Sequence, residues 1–207
     1  MKVCTCLNPL HTFLAVSGCL LGYTLIADEM KDEDLLRLVK RLGYEEGLPV
    51  VVDPGIIKPS DFIDEVVNVR IPNPFMPDTP QRIACDTSQK LSIRFGETIK
   101  GYLGRSDLNV GDLKVVPLVF ALWLRYLLAI DDNGNQFELS PDPLLEDVKK
   151  YVVPEPVEGA SDVDALLHRK EIFGVDLFEA GLADKVKEYF SKLNNGNGSV
   201  RKLLKEI

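Results

Sequence analysis

The stretch Leu113 to Asp131, LKVVPLVFALWLRYLLAID, is apolar on nearly every face of a helix, as befits a helix at the centre of a core. Its most apolar run, Val115 to Ile130, is short for a membrane span and contains Arg125. Around it, almost every apolar segment repeats at intervals of three and four residues, and convincing period-two strands are scarce. The expected fold is all-α, one multi-helix globular unit. At 207 residues and 45% apolar, the chain has enough material for a substantial core.

Capping residues divide the remainder into helices. Asn8-Pro9 reads as an N-cap followed by proline in the first turn, opening a helix to about Asp28. Gly18 and Gly22 within it would let another backbone pack close. Asp32 is placed to cap Glu33–Leu42, with Gly43 as the stop. Tyr44 to Ile57, which contains the turn Asp53-Pro54-Gly55, reads as irregular. Ser60 is placed to cap a helix to about Arg70, and RIPNPFMPDTP is a proline-punctuated loop. Thr79-Pro80 starts a short helix, and Ser88 is placed to cap a longer one ending at Gly101. After the turn DDNGN come helices over Pro143–Tyr151, Asp162–Ile172 capped by Ser161, one from Leu177, and a last one capped by Ser199. Residues 153–160 form a candidate hinge.

Three readings compete for the opening segment KVCTCLNPLHTFLAVSGCLLGY. An exported lipoprotein anchored through Cys19 would need a continuous apolar run, and Asn8, Pro9 and His11 interrupt it. A metal site built on Cys4 and Cys6 would need further ligands downstream, and beyond His11 the other histidine is His168, so no metal is expected. The third reading is an amphipathic helix carrying His11 in its first turn. Four cysteines make no disulfide framework here, and free buried thiols in a reducing cytoplasm are the expectation. A net charge of -8 and scattered basic residues argue against nucleic-acid and anionic-membrane partners.

No glycine-rich turn follows a strand: Gly101-x-x-Gly104 lies at a helix end and NNGNGS between helices. The polar groups that gather are Lys2, Asn8 and His11, and then Arg82, Asp86, Gln89, Lys90 and Arg94. On one continuous helix Arg82, Asp86 and Lys90 would share a stripe, ordinarily a solvated face with salt bridges. Asn8 has an ordinary role as a cap, and His11 as a surface or core histidine.

Four segments, LNPLHTFLAVSGCLLGY, PNPFMPDTPQRIACDTSQKLSIRF, LVFALWLRYLLAIDDNGN and EIFGVDLFEAGLADKVKEYF, resemble in that order the C-terminal half of the mannitol dehydrogenase family. That family comprises long-chain polyol dehydrogenases and the related hexuronate reductases acting on fructuronate or tagaturonate. The resemblance runs from Lys2 to near Ile207 and implies a C-terminal substrate domain over residues 1–207, similar to the 6-phosphogluconate dehydrogenase C-terminal-domain-like fold. It implies a separate N-terminal Rossmann domain, not contained in this chain, holding NAD or NADP. A polyol or keto sugar acid is the implied substrate, and this chain alone is expected to be inactive. By the same resemblance Lys2 is the general acid/base, Asn8 and His11 polarise the substrate oxygen, and Arg82 and Lys90 bind substrate, with no catalytic metal. The family's lysine stands five positions before its asparagine, whereas Lys2 stands six before Asn8. Either one residue is inserted before the helix, or the equivalent lysine is lost or replaced. A non-enzymatic helical interaction domain that kept the family core is the competing reading. An apolar patch where the cofactor domain docks is expected, and it would favour a homodimer of the isolated domain.

Overall fold

In the computed structural model, Val115–Tyr126 is the axle of the fold: every one of its residues is buried. The structure describes residues 6–53, 55, 57–152 and 162–207. Its α-helices are α1 (Asn8–Leu21), α2 (Ile26–Glu29), α3 (Glu33–Lys40), α4 (Pro59–Glu65), α5 (Pro80–Ile83), α6 (Thr87–Leu91) and α7 (Glu97–Leu103). They continue with the axle α8 (Val115–Tyr126), α9 (Leu145–Lys149), α10 (Val163–Leu167), α11 (Lys170–Phe173), α12 (Ala183–Leu193) and α13 (Ser199–Glu206). Among the described residues there is no strand, only an isolated antiparallel bridge between Ile130 and Gln136 across the DDNGN turn. The all-α expectation holds.

α8 packs chiefly on α12 and α1. Its aromatic face is locked edge-on, with Phe120 against Phe95 and Phe173, and Trp123 against Phe173. Pro117 falls in the first turn of α8, where its missing N–H breaks no helical bond. No helix among the described residues is long and apolar enough to cross a membrane.

Two expected caps are found in place. Asp32 accepts from the amides of Asp34 and Leu35, and Thr79 from that of Arg82. Others are corrected. The N-cap position of α1 is Leu7 rather than Asn8; the helical path already includes Cys6 and Leu7, which puts Asn8 inside the first turn. α1 ends at Leu21, not Asp28, because Gly22 turns left-handed with φ 76° and closes the helix. Gly43 stops nothing, since the chain runs on from α3 through a wider π-helical stretch, Arg41–Gly47. Part of the expected irregular Tyr44–Ile57 segment is thereby helical, as is the short 3₁₀ turn Leu48–Val50, and Pro54 lies outside the described residues.

Pro59 takes the first position of α4, so Ser60 lies within the helix, and the run to Arg70 is completed by a π-helical Val66–Arg70. Ser88 is no cap either: Asp86, in a left-handed conformation with φ 53°, precedes α6. From α6 the chain passes through the π-helical Ser92–Gly96 into α7, ending at Leu103 beyond Gly101. The expected Pro143–Tyr151 helix shrinks to α9, and Asp162–Ile172 splits into α10 and α11. Asp162, not Ser161, caps α10; Ser161 and residues 153–160 lie outside the described residues. The helix expected from Leu177 begins at Ala183, and α13 starts after Gly198 with Ser199 already helical.

Candidate active site

The first turn of α1 brings the polar groups of the opening segment against the loop before α5 and the segment after α6. His11 is half-buried and lines a small cavity of about 110 Å³ together with Leu7, Ile26, Arg70, Met76 and Asp78. Asn8 stands one turn earlier and is not part of the cavity lining. Its carbonyl accepts from the Thr12 hydroxyl at 3.0 Å and from Arg94 Nη1 at 3.3 Å. The same Nη1 donates to the Thr12 hydroxyl oxygen. Lys2 and Cys4 lie outside the described residues.

Four charges surround the imidazole. Asp78 and Arg70 line the cavity, Arg82 is paired with Asp78 one turn away on α5, and Arg94 reaches over from the segment following α6. Burial pushes the His11 pKa below its ordinary value; Asp78 opposes this, and Arg94 and Arg82 reinforce it. A neutral imidazole is therefore the resting form, able to donate one hydrogen bond and accept another.

Arg82 is exposed and paired with Asp78, which lines the cavity; Arg82 itself is not part of the lining. Lys90 goes elsewhere. Its ammonium donates to the carbonyls of Ile83 and Cys85, the closing turn of α5, where cations are favoured. Burial and the nearby Arg94 lower its pKa. The shared stripe of Arg82, Asp86 and Lys90 does not exist, because the helix breaks at residues 84–86 and Asp86 turns left-handed. Sequence reasoning named Arg94 only as a member of the wider polar set, outside that stripe, and passed over Asp78 and Arg70. The proximity of Arg94 to Asn8 joins residues 86 apart in sequence, and no local pattern announces it.

Cys6 and Cys19 are buried, and Cys85 is half-buried in the turn after α5. Burial pushes the Cys19 thiol up to about 12, with Glu29 and Cys85 adding to the effect. As a target for lipid attachment, Cys19 sits inside α1 at 4% exposure.

Residues 1–194 match the model of the mannitol dehydrogenase C-terminal domain. The chain belongs to the mannitol dehydrogenase family. Within that family it is 56% identical to a D-mannonate oxidoreductase of Thermotoga maritima, an alignment covering 100% of this chain and 39% of that protein. It is 31% identical to the Escherichia coli D-mannonate oxidoreductase, over 83% of this chain and 34% of that protein. The chain thus spans well under half the length of these relatives. Its fold superposes on a Pseudomonas fluorescens mannitol 2-dehydrogenase, solved as a ternary complex with NAD and D-mannitol, with a TM-score of 0.83 at 24% identity. That match covers 99% of this chain and 39% of the other, and it establishes the all-α mannitol dehydrogenase fold.

Proposed function

We propose that this chain is the substrate-binding, catalytic half of an NAD(P)-dependent oxidoreductase that interconverts a sugar acid and its keto form by hydride transfer. The observation that carries it is the placement of a neutral His11 in a small cavity edged by Arg70 and by the Asp78–Arg82 pair. Arg70 on the cavity wall, paired with Glu65 at 2.8 Å and able to exchange that partner for a substrate carboxylate, suits a sugar acid better than a neutral polyol. The names of the relatives at 56% and 31% identity favour the same choice.

The chemistry asks little more of this chain. Oxidising a secondary alcohol moves a hydride from carbon and a proton from oxygen. Lys2 would take the proton, Asn8 and His11 would donate hydrogen bonds to the developing alkoxide, and Arg82 would hold the substrate; Lys90 would join it only by leaving the Ile83 and Cys85 carbonyls. NAD(P), when bound, supplies the hydride acceptor. Its dinucleotide handle would be held by a separate Rossmann domain, a reading supported by the chain's covering 39% of its Thermotoga maritima relative. Phe75 at 91%, Val69 at 61% and Met76 at 50% exposure stand in the stretch that borders the cavity, an apolar surface suited to that docking domain. The same surface would let the isolated chain dimerise, and the setting of the whole enzyme is the cytoplasm.

The test is to assay the complete enzyme against hexonates, ketohexuronates and hexitols with both cofactors. The expected result is turnover of a hexonate–ketohexuronate pair, with neutral hexitols at least tenfold poorer, the size of one lost charge-assisted contact. Preference for a hexitol overturns the sugar-acid assignment. Absence of turnover with every substrate would support the competing helical interaction domain.

A further inference from the structure

Arg94 reaches the opening turn of α1 from the π-helical segment Ser92–Gly96, which packs against that helix. Its Nη1 lies 3.3 Å from the Asn8 carbonyl and also donates to the Thr12 hydroxyl, which itself donates to the Asn8 carbonyl at 3.0 Å. The three groups form a closed triangle on the turn that carries His11 between its corners. Thr12 is 1% exposed, so this contact is shielded from water and stronger for it.

The arm that carries Arg94 is itself fixed. Leu91 and Phe95 on either side are buried at 0% and 1% exposure. The start of α6 is pinned from a distance by Asp142, which accepts from the Ser88 amide at 2.8 Å and from its hydroxyl at 2.5 Å. A rigid arm ending in a planar guanidinium is a means of setting the orientation of a helix turn.

We propose that Arg94 is a positioning residue, clamping the first turn of α1 through the Asn8 carbonyl and the Thr12 hydroxyl so that Asn8 and His11 are held in register for the substrate oxygen. The proposal rests on the reading of Asn8 and His11 as polarising groups. Arg94 also acts by charge: with Arg82 on α5 it opposes protonation of His11, against Asp78 in the preceding loop, while Arg70 lines the same cavity.

Two measurements test it. In the chain as it stands, the imidazoles of His11 and His168 are followed by NMR across pH. Arg94→Met is expected to move the His11 midpoint up, and Arg94→Lys to leave it close to the parent. In the complete enzyme, Arg94→Met is expected to lower kcat about tenfold or more, with KM changed less, as for a misplaced polarising group. Arg94→Lys, which keeps a cation near the same two oxygens, should restore part of kcat. Thr12→Val, isosteric and with Arg94 intact, should lower kcat in the same direction, and it serves if Arg94→Met does not fold. An unmoved His11 midpoint in Arg94→Met shows that the clamp is absent, whatever the alanine variants of Asn8 and His11 show. A moved midpoint with full kcat overturns the positioning role while Asn8→Ala and His11→Ala each lower kcat; full kcat in those two variants places the fault in the active-site reading itself.

Discussion

Glu46 Oε1 accepts the backbone N–H of Val115 at 2.7 Å, sealing the start of the central helix from a position 69 residues earlier in the chain. The same carboxylate takes the amides of Lys114 and Val116, each at 2.9 Å, and its side chain is 4% exposed. Three donors that α8 cannot satisfy internally are answered by one buried acidic group. Burial raises the Glu46 pKa, while those amides and Arg41 hold it down.

Glu46→Ala should therefore destabilise the chain by about 3 kcal/mol, since it leaves buried N–H groups unpaired at the helix on which everything packs. Glu46→Gln should cost less, because its amide oxygen still accepts. Chemical denaturation followed by far-ultraviolet circular dichroism measures both. A loss under about 1 kcal/mol for the alanine variant would show that water replaces the carboxylate.

That arrangement also marks what the sequence could and could not disclose. α8 was legible because twelve successive residues are buried on every face, a pattern composition alone exposes. The caps Asp32 and Thr79 were legible because cap and helix are adjacent. Glu46 on α8, Asp142 on α6 and Asp132 on α13 were not. A helix start needs an oxygen, and nothing requires that oxygen to be local; Asp132 accepts from Val200 and Arg201 at 2.7 and 3.0 Å across the fold. Ser88 and Ser199, which looked like caps, spend their hydroxyls on Asp142 and on the Leu193 carbonyl. At the site, His11 and Asn8 were visible as a pair one turn apart, whereas the partners of that turn come from distant segments.

Glu29 gives a pH prediction. Its carboxyl is 0% exposed with neither oxygen hydrogen-bonded, and burial, with Asp32 adding, raises its pKa well above the ordinary 4.5. A raised folded value means the native state holds a proton that the unfolded chain releases. Stability from this group is complete below about pH 4.5 and is lost as pH rises towards the folded value. Glu29→Gln removes the titration, so the variant should gain on the parent steadily from pH 5 to pH 8 (about the range where most domains are assayed). Parallel stability curves for the two proteins would contradict the assignment.

Gly18 faces that carboxyl. A Cβ there would lie 2.3 Å from Glu29 Oε1 and 2.7 Å from Pro80 Cγ, so α1 has no room for a methyl group where α2 and α5 cross it. Gly18→Ala should destabilise the chain by roughly 1–3 kcal/mol, the usual range for overpacking. Adding Glu29→Ala should recover only part of the loss, because the ring of Pro80 stays. Thermal melts of the single and double variants decide it.

The last prediction concerns catalysis in the complete enzyme. Asn8→Ala should leave stability nearly unchanged, since Asn8 caps nothing with its side chain, yet lower kcat/KM by about a hundredfold if its amide stabilises the alkoxide. His11→Ala should do likewise, and Lys2→Ala should cost a hundredfold or more if it is the base, on the order of a lost general base. His11 also sets a pH limit. Its pKa lies below the ordinary 6.5, so the native chain resists a proton that the unfolded chain takes up; stability linked to His11 is lost as pH falls through and below that value. The neutral donor needed for catalysis survives over the same interval. The acid limb of kcat/KM should accordingly fall below pH 6.5 and shift or vanish in His11→Gln. A limb at or above the ordinary imidazole value, unchanged by that substitution, would assign it to another group and remove His11 from the reaction.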